Sequence, residues 1–412
     1  MIIPSNLLKE KKILLGVTGS IAVYKSLELV RHFVKAGADV KVVMSESAKK
    51  FVTPLTFETL TSNQVLDDFN ESWVNDHNHI KAGEWADIFL VAPVTANTIA
   101  KLANAIADNM LLQTALAYPG IKLLAPSANT NMLENPITQA NLKMLRVANY
   151  TILDTQTKEL ACKTTGDGAM AEPVDIFWAT CRELLKDKFW QDRDVVVTGG
   201  GTIEKIDDVR YLSNYSSGKM ASSLATALYC RGADVKLIAT RFEDNLPKNM
   251  HTVNVENSAE MLESLTNSIK KTQTENSSLE KKPYLFMAAA VSDYIPAFIQ
   301  DGKLKKDTLG ENWDLALKQN IDILNSIDKD AVITVGFKAE MDRSNALLNA
   351  TNMLENKNLN AVCLNILKDS QSFGSDTNSV EFISSNEKVS IPSDDKLTVS
   401  FEIVKNSKHL EV

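Results

Sequence analysis

The chain has 412 residues, which at roughly 100 to 200 residues per domain predicts two or three domains, each large enough for a proper core. It is 44% hydrophobic and 23% charged with a net charge of -8, a balance that argues against a nucleic-acid or anionic-membrane surface. No apolar run suits a signal peptide or a membrane span. The four cysteines (Cys162, Cys181, Cys230, Cys363) show no CxxC pair and no Cys/His metal spacing, so the expected setting is a reducing cytoplasm without a zinc site.

Residues 13–17 begin a strand that runs into the turn Thr18, Gly19, Ser20; a helix covers 26–35, and GADVK at 37–41 starts the next strand. A glycine turn with a serine at a helix start suits one phosphate. Gly16 and Gly19 do not complete G-x-G-x-x-G, so a mononucleotide is expected rather than a dinucleotide. Strand 40–44 ends in Ser45, strand 88–91 runs into Thr95, Asn97 and Thr98, and strand 122–125 runs into Ser127, Asn129 and Met132. The carboxyl ends of parallel strands line a ligand crevice, so small polar residues at four successive strand ends mark a site. His77 and His79 directly precede the third of these strands. Cys162 lies in the polar, glycine-flanked segment ACKTTGDGAM, which suits a flap.

A helix through 177–185 and a polar stretch at 187–192 mark a boundary. Beyond it DVVVTGGG at 194–201 repeats the strand-to-turn pattern, Ser216, Ser217, Gly218 and Lys219 open an amphipathic helix, and GADVK recurs at 232–236. Both halves thus start with VTG and close their first helix with GADVK. The expectation is two tandem doubly wound α/β domains with parallel sheets, flavodoxin-like and Rossmann-like, at residues 1–187 and 190–412. SSGK is not a Walker A motif, because Met220 follows Lys219 and no glycine sits five residues before Gly218. Residues 267–282 read as a solvated helix end and loop, and 284–287 as a strand that ends near Asp293. From 379 onward, VEFIS and VSIPSD read as a hairpin and LTVSFEIV as a closing strand.

Taken together, these motifs resemble the bifunctional phosphopantothenoylcysteine decarboxylase/phosphopantothenate-cysteine ligase family of bacterial coenzyme A synthesis, over nearly the whole chain. GSIAVYK at 19–25, APVTANTIAK at 92–101, ADN at 107–109, PSANTNM at 126–132 and the ACxxxGxGxM loop carry the first half. GGGTIEKIDDVRYLSNYSSGKM at 199–220 carries the second. The resemblance implies FMN bound through Gly19, Ser20, Ser45, Thr95, Asn97 and Thr98, with His79, Asn129 and Cys162 catalytic and Met132 beside the substrate. In the second half it assigns Arg210 and Asn214 to the substrate and acyl intermediate, and Lys303 to catalysis. It assigns Asp293, Asn320, Ile321, Asp322, Ile323, Phe337, Met353 and Lys357 to CTP. It further implies magnesium with the CTP, 4'-phosphopantothenate and cysteine as substrates, and a homo-oligomer with trimers through the first domain and dimers through the second. The chain departs from the family pattern at Lys163 and Ala169 of the flap, at Ala221, and at Ile321, Met353 and Asn360.

The chemistry accounts for these residue types. Direct loss of carbon dioxide from a cysteinyl carboxylate leaves an unstabilised carbanion, so the thiol carbon must first be oxidised toward a thioaldehyde, which a flavin can do. Asn129 can hold the carboxylate without adding a charge that opposes its departure. His79 is expected as base or positioning group, and Cys162 as proton donor to the enethiol. In the ligase half the phosphopantothenate carboxylate attacks the α-phosphorus of CTP, pyrophosphate leaves, and cysteine's amine displaces CMP.

Overall fold

The computed structural model describes residues 1–159, 165–275, 281–305, 311–367, 369 and 374–411. The chain forms two compact units, Ser5–Leu185 and Lys186–Val412, the second of which includes Met1–Pro4.

In the first unit β1 (Lys12–Val17), β2 (Asp39–Met44), β3 (Ile88–Val94), β4 (Ile121–Pro126) and β5 (Tyr150–Ile152) form a parallel sheet in the order β2-β1-β3-β4-β5. All residues of β3 are buried, as an apolar strand covered on both faces requires. The order reverses between β1 and β3, the switch point at which a flavodoxin-like sheet opens a ligand crevice. An antiparallel pair, β6 (Gln156–Glu159) and β7 (Thr165–Ala169), forms the flap. Cys162 and Lys163 lie outside the described residues.

The second unit begins with β8 (Asp194–Gly199), followed by the antiparallel pair β9 (Ile203–Lys205) and β10 (Tyr211–Ser213). Then come β11 (Asp234–Ala239), β12 (His251–Asn254), β13 (Tyr284–Met287) and a second antiparallel pair, β14 (Tyr294–Pro296) with β15 (Leu317–Gln319). The strands β16 (Ile333–Glu340), β17 (Ala361–Ile366), β18 (Thr377–Ser384) and β19 (Lys388–Asp395) complete it. The large sheet runs β12-β11-β8-β13-β16-β17-β18-β19; its first six strands are parallel in Rossmann order, and β18 and β19 add an antiparallel hairpin.

The repeated GADVK has a common structural cause. Gly37 and Gly232 end the helices Val23–Lys35 and Lys219–Cys230 with φ of 89° and 95°, left-handed values that stop a helix. At Gly37 a Cβ would also lie 2.5 Å from Ser5 O.

Three expectations are corrected. The first helix begins at Val23 rather than 26. The helix opened by Lys219 is not amphipathic, since every residue from Ala221 to Cys230 is buried: the helix Lys396–Asn406 covers the face that the sheet does not. LTVSFEIV belongs to that helix and is not a strand. Asp395 caps it, accepting from Leu397 N at 3.0 Å and Thr398 N at 2.9 Å, and Leu397, Val399, Ser400, Ile403 and Val404 are buried at helical spacing, which a short alternation of apolar letters had concealed.

Candidate active sites

In the first unit a cleft of ≈ 600 Å³ opens at the carboxyl ends of the parallel strands, lined among others by Gly19, Ser20, Ser45, Thr95, Asn97, Thr98 and Met132. Gly19 is required by close approach, since a Cβ there would lie 2.4 Å from Ser47 Cβ. Ser20 Oγ meets Ser127 Oγ at 2.9 Å. Thr95 caps the helix Ala96–Ala103, accepting from Thr98 N at 3.3 Å, and its hydroxyl lies 3.1 Å from Thr98 Oγ1. Ser45 Oγ is different: it is buried and has no hydrogen-bond partner among the described residues. Such a hydroxyl is costly to leave unmet, so the cleft presents a polar ligand with an open position.

Asn129 stands between the lining residues Ala128 and Met132 and opens the helix Thr130–Glu134, its side chain accepting from Asn131 N at 3.0 Å. The flap strand β7 lies directly on this loop. Gly168, at φ 141°, accepts from Ala128 N at 3.1 Å, and a Cβ on it would sit 2.2 Å from Ala128 O. A Cβ at Gly166 would sit 2.2 Å from Thr130 Oγ1. His79 is not among the residues lining the cleft. It begins the helix His79–Trp85, with Nδ1 2.7 Å from Glu71 Oε1 and its ring edge-on to Trp73. Cys162 lies outside the described residues.

The second unit holds a cleft of ≈ 710 Å³ lined by Asn214, Asp293, Asn320, Ile321, Asp322, Ile323, Phe337, Met353 and Lys357 together with the Ser216–Gly218 turn. Asn214 Nδ2 donates to Ala290 O at 3.1 Å, and a Cβ at Gly201 would lie 2.6 Å from Asn214 O. Asn320 Nδ2 donates to Ser292 O at 2.8 Å, tying its loop to the one that carries Asp293. Asp322 caps the short helix Ile323–Ser326 and pairs with Lys357 Nζ at 2.9 Å.

The departures from the family pattern have visible contacts. Met353 packs against the apolar core, and its Cε would be 2.9 Å from a Cβ on Gly336. Asn360 is not among the residues lining the cleft: its Oδ1 accepts from Thr334 N at 2.8 Å, tying the start of β17 to β16. Ala221 fits because residue 199 is glycine; a Cβ there would approach Ala221 Cβ to 2.3 Å.

Arg210 and Lys303 do not line this cleft. Arg210 Nε lies 3.0 Å from Asp207 Oδ2, its Nη2 donates to Leu304 O at 3.1 Å, and its guanidinium lies 4.7 Å from the Trp313 ring centroid. The hydrogen bond from Arg210 holds the Asp207 carboxyl far below the usual carboxylate range. The Lys303 loop is fixed at the same corner, with Gly302 N donating to Asp208 Oδ2 at 2.9 Å and Leu304 N to Asp207 Oδ2 at 3.1 Å.

Sequence reasoning missed Asp68, Lys101, Asp108 and Asn109 in the first cleft, and Lys338, Asn365, Asn378 and Lys396 in the second. None of the first four stands at a strand end: Lys101 lies within the helix Ala96–Ala103, Asp68 in a turn, and Asp108 and Asn109 just before the helix Met110–Ala117. The only early signal was the ADN motif; Asn109 caps the helix Met110–Ala117, accepting from Leu112 N at 2.9 Å. Among the described residues no three His, Cys, Asp or Glu gather to hold a metal, and no helix is long and apolar enough to cross a membrane.

Comparison with known proteins covers both units. The Flavoprotein family matches residues 1–185, and the DNA/pantothenate metabolism flavoprotein C-terminal domain family matches residues 190–410. The chain is 37% identical over 406 residues to the coenzyme A biosynthesis bifunctional protein CoaBC of Bacillus subtilis (strain 168), covering 97% of each chain. It is 34% identical over 405 residues to the CoaBC protein of Vibrio vulnificus (strain CMCP6), covering 97% of this chain and 98% of the relative. Similar solved structures include the C-terminal domain of a CoaBC protein (27% identity, TM-score 0.43, 54% of this chain and 98% of the other). The FMN binding protein AtHal3 is another (31% identity, TM-score 0.38, 42% and 95%). Matched in both halves and over nearly its whole length, the chain belongs to the CoaBC family of coenzyme A biosynthesis bifunctional proteins.

Proposed function

We propose that the chain carries out two successive steps of coenzyme A biosynthesis: CTP-dependent joining of 4'-phosphopantothenate to cysteine in the second unit, and FMN-dependent decarboxylation of the phosphopantothenoylcysteine so formed in the first. The observation that carries this reading is the whole-length similarity to CoaBC proteins, each half of which falls on a unit with its own polar cleft at a sheet switch point. The product of one unit is the substrate of the other, which gives a physical reason for one chain.

The first cleft fits FMN: Ser45 has a buried hydroxyl without a partner among the described residues, Gly19 lines the cleft with its backbone packed against Ser47, and the volume suits a small-molecule cofactor. Ser20, Thr95 and Thr98 would hold its polar edge and phosphate. Bound FMN would supply the oxidation at the thiol-bearing carbon that makes carbon dioxide loss feasible. Asn129 would hold the substrate carboxylate, the β6–β7 flap would exclude water, and Cys162 would return a proton to the enethiol carbon. His79, paired with Glu71, would orient the substrate.

In the second unit Asp293, Asp322, Phe337 and Lys357 would hold the nucleotide, and Asn214 the acyl group. Lys303 would offset charge on the departing pyrophosphate, with Arg210 beside it. The described residues offer no metal cage, so Mg²⁺ would enter bound to the triphosphate, as it commonly does. The working form would be a cytoplasmic homo-oligomer.

Incubating the purified chain with 4'-phosphopantothenate, cysteine, magnesium and either CTP or ATP tests the reading. Release of CMP and carbon dioxide with CTP, and FMN on denaturation, are expected. Absence of both the acyl-cysteine product and a flavin after reconstitution would overturn it. Lys303→Gln should slow ligation by ~10²-fold or more while decarboxylation of added phosphopantothenoylcysteine persists.

A further inference from the structure

We infer that Lys396 is a phosphate-binding residue of the second-unit cleft. The inference deepens the nucleotide reading of that cleft and rests on it.

Lys396 lines the cleft yet is only 7% exposed. It is the first residue of the helix Lys396–Asn406, whose N-terminal end carries partial positive charge, and it donates to Ser375 O. Lys219, the first residue of the buried helix Lys219–Cys230, faces it from the adjoining element. Burial, a helix start and a second lysine all work against a cation in that place. Burial first and Lys219 second push the Lys396 ammonium down to about 8.

The surrounding charges offset this in part. Asp376, in the segment before β18, lies 2.5 Å from Lys219 Nζ, and Glu243, in the segment after β11, pairs with the Met1 ammonium. Both favour the charged form of Lys396. Asp395, the neighbour on its own element, is turned to the helix amides of Leu397 and Thr398. Lys338, from β16, lines the same cleft. A lysine buried against a like charge and a helix start, on the wall of a 710 Å³ cleft, is the arrangement that an incoming phosphate relieves. Two substrates bring such a group: the triphosphate of CTP and the phosphate of 4'-phosphopantothenate.

Calorimetric titration of the full chain, with CTP in one arm and 4'-phosphopantothenate in the other, between about pH 7 and 9.5 distinguishes them. A terminal phosphate ionises near about 6, so the ligand's charge is constant over that range. The ligand seated on Lys396 should bind more weakly as pH rises through about 8, approaching tenfold per pH unit, with proton uptake on binding. Lys396→Arg, charged throughout, should bind with a flat profile. Lys396→Met should lose about tenfold or more at neutral pH. The arm that shows these changes identifies the phosphate. If the wild-type pH slope persists in Lys396→Arg, or Lys396→Met binds both ligands within twofold of wild type, the assignment is overturned; should the Met variant fail to fold, the Arg profile decides. A wild-type chain that turns over CTP while Lys396→Met retains its affinity sinks the lysine assignment alone, whereas one that binds neither ligand sinks the nucleotide reading with it.

Discussion

Lys357 Nζ and Asp322 Oδ2 meet at 2.9 Å on the lining of the second-unit cleft, with side chains 31% and 39% exposed. An ion pair that open to water contributes about 0–1 kcal/mol to stability. A cation on a nucleotide site is expected to matter far more to binding. Lys357→Gln should therefore raise the KM for CTP about tenfold or more while the melting temperature shifts by no more than about 4 °C. Thermal melts and steady-state kinetics on one preparation separate the two; a large melting shift with unchanged KM would make Lys357 structural.

Ser45 allows a test with opposite signs in two states. Removing a buried hydroxyl that has no partner relieves a penalty of about 1–3 kcal/mol, so Ser45→Ala should leave the flavin-free protein as stable as wild type or more so. The same change should weaken FMN binding several-fold, because the ligand loses a hydrogen bond worth about 1 kcal/mol. Fluorescence quenching of FMN and melts of the apo-protein read the two effects. Unchanged FMN affinity would remove Ser45 from the site.

The flap depends on two glycines. A methyl group at Gly168 would meet Ala128 O at 2.2 Å, and its φ of 141° disfavours any side chain. Gly168→Ala should lift β7 off the Asn129 loop and lower decarboxylation ~10²-fold, since small misplacements of positioning groups are that costly. CMP release in the second unit should stay at its wild-type rate. Equal loss of both activities would point to general unfolding.

Glu411 clamps Arg193 in the second unit, with Oε1 and Oε2 at 3.0 and 2.7 Å from Nη1 and Nη2. Arg193 is only 3% exposed, and its hydrogen bonds hold the Glu411 carboxyl below its ordinary value. A carboxyl with a depressed folded-state pKa contributes stability above its unfolded value, and that contribution is lost as pH falls through the folded value. Wild type should lose this increment on acidification below about pH 4, whereas Glu411→Gln lacks it at neutral pH and should melt lower by about 2–8 °C there, the difference closing in acid. A melting difference that does not shrink in acid would show that the clamp's charge is not what stabilises.

What the amino-acid order determined by itself was local. Apolar runs broken by VTG, helices stopped by GADVK glycines and small polar residues after parallel strands depend on neighbours a few positions apart, so two doubly wound sheets and the positions of Gly19, Ser45 and Thr95 on the first cleft were legible without coordinates. Tertiary packing decided the rest, because it turns on contacts between distant residues. LTVSFEIV at 397–404 reads as a strand by itself; Asp395 caps the helix Lys396–Asn406 that it forms instead, and the Lys219–Cys230 helix supplies a surface for its buried face. That docking alone brings Lys396 to the cleft beside Lys219. Arg210 and Lys303 share a corner outside the cleft lining because Asp207 gathers both segments, and His79 turns to Glu71. That Ser45 Oγ is buried with no partner among the described residues is a property of the fold, which no short stretch of sequence carries.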